Sequence, residues 1–174
     1  MFSGIVRSIG EVVVAEPRDG GLRLGIRADL AGIGPGSSVA VNGVCLTVAE
    51  SKNGVWFFDA VGATLERTLI GDMHTGNRAN LEPSLRASDP LDGHLVTGHV
   101  DGVGIIRSRQ PGQGAVWFTI GAPSDLMPQI ALRGSVAVDG VSLTVAEVSG
   151  DEFRVSIVPY TLETTRFGEY ETGR

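Results

Sequence analysis

From Ser38 to Val48 the chain alternates between apolar and polar or small residues around a central Asn42-Gly43, and from Ser135 to Val145 it does so again around Asp139-Gly140. Alternation with a period of two predicts strand. Asn-Gly and Asp-Gly between Val-rich runs are turn signals, because glycine accepts positive φ and Asn or Asp tolerate it. A bulged or kinked strand fits the same pattern, so a hairpin and a bulge both stay open. Further strands are predicted at Gly4–Val14, Leu22–Arg27, Val55–Val61, Val100–Ser108, Val116–Ile120 and Glu152–Val158. Helix is scarce: Asp125–Leu132 and Ala63–Leu69 each have room for a turn or two. Many short strands in so few residues predict an all-β fold of small closed barrels, since closure removes exposed edges.

The pattern is doubled. SVAVNGVCLTVAE (38–50) and SVAVDGVSLTVAE (135–147) differ only at Asn42/Asp139 and Cys45/Ser142. VGATLERTLIGDMHTG (61–76) and VPYTLETTRFGEYETG (158–173) share Thr64/Thr161, Leu65/Leu162, Thr68/Thr165, Gly71/Gly168 and Gly76/Gly173. MFSGIVRSIGEV (1–12) matches LVTGHVDGVGII (95–106) through Gly4/Gly98, Val6/Val100 and Gly10/Gly104. Three blocks in one order, in only two copies, predict two similar domains at 1–85 and 94–174 rather than a solenoid. EPSLRASDPLDG (82–93) reads as the linker. Copy one continues into a closing strand at Arg78–Leu81, whereas copy two stops at Arg174. The expectation is two tandem six-stranded barrels, the second lacking its last strand, in a chain truncated relative to the natural product.

Composition narrows the function. Twenty-five glycines and 6% aromatic residues suit tight turns between short strands. A net charge of −6 without a Lys/Arg cluster argues against a nucleic-acid partner, whose phosphates need a basic stripe. No apolar run is long enough to span a bilayer as a helix, so no membrane partner is expected, and no signal peptide is evident. A single cysteine excludes an internal disulfide and fits a reducing compartment, here read as the cytoplasm. No Cys/His/carboxylate spacing matches a metal site. The spaced glycines of GHVDGVG open a strand rather than a helix, so they are no dinucleotide fingerprint.

With MFSGIV at the start, NGVCLTV and DGVSLTV in the two copies and DGHLVTGHVDG (92–102) opening the second, the chain resembles the riboflavin synthases, over essentially all of its length. The resemblance implies Greek-key barrels, each holding a lumazine-type pteridine, and a homotrimer in which the first barrel of one subunit faces the second barrel of its neighbour. The family's C-terminal helix, which holds that trimer, is absent, so a weaker trimer or a monomer is expected. The implied reaction is a dismutation: one 6,7-dimethyl-8-ribityllumazine gives a four-carbon unit to another, yielding riboflavin and 5-amino-6-ribitylaminouracil, with no cofactor. The same resemblance includes proteins that hold lumazine without turning it over, which is the alternative reading.

Candidate site residues follow from the repeat and the resemblance together. His99 stands where copy one has Ile5, and a proton-transfer group in one copy only suits two ligands with unequal roles. A hydrogen-bonded histidine at a strand edge is the plainer reading. Leu46 and Val48 match Leu143 and Val145 and suit a core face, so Cys45 and Thr47, like Ser142 and Thr144, point the other way. Cys45 is either a nucleophile or a wall, and Ser38, matched by Ser135, is either a ligand-bonding or nucleophilic group or a turn cap. The resemblance implies that Gly4, Ile5, Val6, Gly98, His99 and Val100 lay backbone against the pteridines. Cys45 and Thr47, with Leu46 between them, and Ser142 and Thr144, with Leu143 between them, read as lining the two pteridine pockets. The turns Asp59, Ala60, Val61, Gly62, Ala63, Thr64 and Ser156, Ile157, Val158, Pro159, Tyr160, Thr161 complete the set. Family members often carry Glu where Ala63 and Tyr160 stand, which leaves backbone contacts there. Arg133 occupies the place of a basic residue that reaches a neighbouring subunit's ligand; a solvated surface arginine is the alternative. Trp56 and Trp117 read as packing residues, and His74 and His94 as loop residues.

Overall fold

The computed structural model describes all 174 residues. The first half is a closed barrel of six strands: β1 (Ser8–Arg18), β2 (Gly21–Arg27), β3 (Ser38–Val41), β4 (Val44–Lys52), β5 (Val55–Val61) and β6 (Arg78–Pro83). They run in the order β1-β2-β5-β4-β3-β6, and β6 returns to pair with β1. The second half repeats the order with β7 (Ile105–Gly112), β8 (Ala115–Gly121), β9 (Ser135–Val138), β10 (Val141–Ser149) and β11 (Glu152–Ile157). They form a five-stranded sheet, β7-β8-β11-β10-β9, with no counterpart of β6. The tandem β-fold is as expected, and helix is confined to α1 (Gly62–Arg67), α2 (Pro159–Thr164) and three 3-10 turns.

The doubled motif is a hairpin in both copies. Asn42 and Gly43 have φ of 47° and 80°, and Asp139 and Gly140 have 45° and 77°. Two consecutive positive φ values define the turn whose twist matches that of paired strands. β3 then pairs with β4 through Ser38–Thr47 and Ala40–Cys45, and β9 with β10 through Ser135–Thr144 and Ala137–Ser142. A bulge follows at Val48/Glu50 and again at Val145/Glu147. Such bulges bend a strand and help a sheet close on itself.

Several element bounds differ from the expectation. β1 starts at Ser8 rather than Gly4, and β7 at Ile105 rather than Val100, because the segments after Gly4 and Gly98 leave their own sheets to lie against the other copy, where Val6 packs on the second core and Val100 on the first. Glu82 and Pro83 belong to β6, paired with Ala40 and Val39, and are not linker. Asp125–Leu132 supplies the 3-10 turn Met127–Gln129 and Ala63–Leu69 most of α1, in line with the turn or two expected of each, while α2, for which the sequence carries no such signal, starts with Pro159 at a position where a missing N–H costs nothing.

Each half has its own core. Val12, Leu24, Ile26, Val39, Val41, Phe58 and Leu81 fill the first. Phe118, Val145, Val155, Ile157, Phe167 and Tyr170 fill the second, with Phe118 and Phe167 edge-to-face at 5.2 Å. Trp56 packs against the first core and gives its indole N–H to the Ala28 carbonyl, which bears out its reading as a packing residue.

The two hairpin turns meet back to back. A Cβ on Gly43 would stand 2.7 Å from the Gly140 nitrogen, and one on Gly140 2.8 Å from the Gly43 nitrogen. Asn80, 1% exposed on β6, bridges the halves: its amide N–H donates to the Asp139 carbonyl at 2.9 Å, and its Oδ1 accepts from the Arg166 N–H at 2.8 Å. Asn80→Ala leaves the buried Arg166 N–H and the half-buried Asp139 carbonyl without this partner, and the expected loss is about 1–3 kcal/mol of stability. A urea midpoint that does not move would refute this role.

Candidate functional site

The segments that open the two copies cross over. Gly98 lies against copy one: its carbonyl accepts the Cys45 N–H at 2.9 Å, and Val100 packs against the first core. Gly4 lies against copy two: its carbonyl accepts the Ser142 N–H at 2.7 Å, and Val6 packs against the second core. Between them Phe2 and Val96 exchange both backbone hydrogen bonds, at 2.7 and 3.0 Å, and Phe2 is fully buried. Each site is therefore built from both halves of the chain.

The first site gathers Cys45–Thr47 at the start of β4 and Gly98–Val100. β5 runs antiparallel to β4 with Phe58 opposite Val48, which carries Asp59–Val61 toward Thr47–Cys45 and α1 to the rim. Leu46 and Val48 are buried, Thr47 is exposed and Cys45 half-buried, so the predicted inward and outward faces of β4 are as read. The second site has the same parts: Ser142–Thr144 on β10, Gly4–Val6, and Ser156–Val158 leading into α2, with Val155 opposite Val145. Leu143 is buried, Thr144 exposed and Ser142 half-buried. The exposed apolar side chains of Val61, Val158 and Tyr160 stand at the two rims.

The chemistry of the two sites is unequal. The first carries the Cys45 thiol, and His99 is exposed on the strap beside it, its N–H donating to Thr97 Oγ1 at 3.2 Å. In the second, the Ser142 hydroxyl is 2.7 Å from His94 Nδ1. The backbone of His94 donates to the Ser3 carbonyl at 3.0 Å. The sequence around His94 reads as loop, and His94 has no counterpart in copy one, so the repeat draws no attention to it. Ser38 opens β3 opposite Thr47, half-buried, and its carbonyl accepts the Ser84 N–H, so it stands on the face of Cys45 and Thr47. The Asp59 carboxylate accepts from Arg23 at 3.0 Å. Arg133 is exposed at φ 63°, where copy one has Gly36; both residues donate their N–H to the matching carbonyls, Val145 and Val48, at 2.8 Å. His74 is exposed and bonded to Asn77, away from either site.

Burial lowers the pKa of His94 from its ordinary 6.5, and the nearby Glu82 carboxylate opposes this in part. A histidine whose folded pKa is depressed binds fewer protons folded than unfolded. Its contribution to stability is full above the ordinary value and is lost as pH falls through it. Unfolding temperature should therefore drop between about pH 7.5 and about pH 5.5, and His94→Gln should flatten that drop. Identical pH profiles for the two proteins would show that His94 contributes nothing to it.

Comparison with known proteins gives this geometry a context. A model of the lumazine binding domain matches residues 3–84 and again 97–174. Riboflavin synthase of Brucella abortus is 43% identical over 99% of this chain and 89% of its own. Riboflavin synthase of Actinobacillus pleuropneumoniae is 35% identical over 99% of this chain and 81% of its own. The crystal structure of LumP complexed with riboflavin superimposes with a TM-score of 0.92 at 28% identity, covering 100% of this chain and 96% of that one. LumP complexed with 6,7-dimethyl-8-(1'-D-ribityl) lumazine gives a TM-score of 0.89 over the same shares. Twice matched by one domain model, and aligned almost end to end with riboflavin synthases, the chain belongs to the lumazine-binding domain family.

Proposed function

We propose that the chain is a riboflavin synthase, a transferase that binds 6,7-dimethyl-8-ribityllumazine in both sites and moves a four-carbon unit from one molecule to the other. The products are riboflavin and 5-amino-6-ribitylaminouracil. The observation that carries this reading is a pair of sites with one architecture and different side chains, Cys45 and His99 in one, Ser142 and His94 in the other. Two copies of one substrate call for two similar sites, and two different roles call for different groups at each.

The chemistry asks little of a cofactor. The C7-methyl group of a lumazine is acidic because its carbanion is delocalised into the ring, so a base within reach starts the reaction. Addition of a nucleophile to the second lumazine interrupts its ring conjugation and leaves the neighbouring C=N carbon of that molecule open to attack by the carbanion, which forms the first carbon–carbon bond. His99 is our candidate proton-transfer group, with Cys45 and Ser38 as candidate nucleophiles or polar walls. Gly4–Val6, Gly98–Val100, Cys45–Thr47, Ser142–Thr144 and the turns at Asp59–Thr64 and Ser156–Thr161 present backbone donors and acceptors to the heterocycle edge, and Arg133 reaches across a subunit boundary. Holding two reactants face to face supplies much of the rate. We place that encounter between subunits of a trimer, with the first site of one facing the second site of its neighbour. The lone free thiol fits the cytoplasm, and no helix is long and apolar enough to cross a membrane.

The likeness to LumP supports a second reading, a pteridine-binding protein without turnover. One experiment separates them. The purified chain is mixed with dimethyl-ribityllumazine alone: growth of riboflavin absorbance identifies the enzyme, and tightly held, unchanged lumazine identifies the binder.

A further inference from the structure

Glu82 is 3% exposed on β6, in the wall of the first barrel, yet its carboxylate is spent on the strap of the second site. Its Oε1 accepts the Ser3 N–H at 2.6 Å and the Ser3 hydroxyl at 2.7 Å, and its Oε2 accepts the Gly4 N–H at 2.9 Å. Ser3 Oγ in turn accepts the Ile5 N–H at 3.3 Å. On the other side of the same peptide run, the Gly4 carbonyl takes the Ser142 N–H and the Ser3 carbonyl takes the His94 N–H. The strap is thus clamped between a carboxylate from one half and β10 of the other.

The matching strap has no such clamp. Thr97 repeats the local bond, its Oγ1 accepting the His99 N–H at 3.2 Å, but Thr97 is exposed and no carboxylate bonds to it. Three converging donors need an acceptor with free lone pairs on both oxygens, which a carboxylate offers and an amide does not.

We propose that Glu82 is a positioning residue for the second pteridine site: it fixes Gly4–Val6 against Ser142, so that the second site is rigid and selective while the first, whose strap carries His99, is left freer. This rests on the reading of both sites as pteridine sites.

The test is titration of the full chain with dimethyl-ribityllumazine, followed by the backbone amide NMR signals of Gly4 and Ile5 for the second site and of Gly98 and His99 for the first. In Glu82→Gln the amide nitrogen replaces one acceptor and faces N–H groups. The expected result is about ten- to hundredfold weaker binding at the second site, with the first changed less than about twofold. Glu82→Asp, which keeps the carboxylate, should recover part of the loss. Ser3→Ala, which removes only the hydroxyl, should weaken the second site alone by a smaller factor, and carries the test should Glu82→Gln fail to fold. Equal weakening of both sites, or none at either in any variant, overturns the assignment to Glu82. A wild-type chain that binds no lumazine overturns the functional reading itself.

Discussion

Replacing His99 with alanine is expected to slow riboflavin formation by about 10²–10⁴-fold, the range that a positioned acid–base group supplies, while lumazine affinity changes less than about tenfold. The structure gives the reason for the split. The His99 side chain is exposed and has no hydrogen-bond partner, and the strap is held by backbone bonds: Gly98 carbonyl to Cys45 N–H, and His99 N–H to Thr97 Oγ1. Removing the ring leaves those bonds and the barrel in place. Copy one shows that the position tolerates an apolar residue, since Ile5 occupies it there. The measurement is kcat from riboflavin absorbance beside Kd from lumazine fluorescence. Parallel losses in both would make His99 a wall of the site rather than a proton carrier, because only an interaction stronger in the transition state changes kcat alone.

Much of this was legible in the chain because it is written twice. A hairpin that recurs with two differences in thirteen residues exposes its own logic: Leu46, Val48, Leu143 and Val145 stay apolar and are buried, and the sole side-chain exchanges fall in the turn and at Cys45/Ser142, which face away from the core. The ambiguity between hairpin and bulge was real. Only the paired positive φ values of Asn42-Gly43 and Asp139-Gly140 resolve it, since alternation continues through either geometry.

The crossing of the straps was not legible, for the same reason. Val6 and Val100 are equivalent apolar residues, and a repeat cannot say which of two equivalent cores receives which of them. Glu82 was hidden in a Pro- and polar-rich segment that reads as linker, and its burial depends on donors at Ser3 and Gly4, nearly the whole first half away in sequence. His94 was hidden because nothing in copy one corresponds to it. The chemical asymmetry of the two sites thus lies in places where the duplication is imperfect: a histidine facing an isoleucine, a serine facing a cysteine, a carboxylate facing nothing.

The crossing makes a reciprocal prediction with the largest structural effect. A Cβ on Gly98 would sit 2.6 Å from the Cys45 Cβ, 2.9 Å from the Phe2 ring and 3.0 Å from the Cys45 nitrogen, and one on Gly4 2.7 Å from the Ser142 Cβ and 2.9 Å from its nitrogen. Both glycines also hold left-handed φ values, of 83° and 75°. An alanine there costs about 1–2 kcal/mol for the backbone and about 1–3 kcal/mol for the overlap. Because the Cβ and nitrogen of a paired strand residue cannot move apart from the strand, relief comes from the strap lifting off its site. Gly98→Ala should therefore weaken lumazine binding at the first site by at least about thirtyfold and affect the second, whose strap adjoins Phe2, much less, and Gly4→Ala should do the reverse. Each variant alone should be nearly inactive, since the reaction needs two bound lumazines. Mixing them distinguishes where the lumazines meet. If the first site of one subunit works against the second site of its neighbour, mixed assemblies join an intact first site from Gly4→Ala to an intact second site from Gly98→Ala, and riboflavin formation returns. If both sites must belong to one chain, every subunit in the mixture keeps one damaged site, and subunit exchange restores nothing.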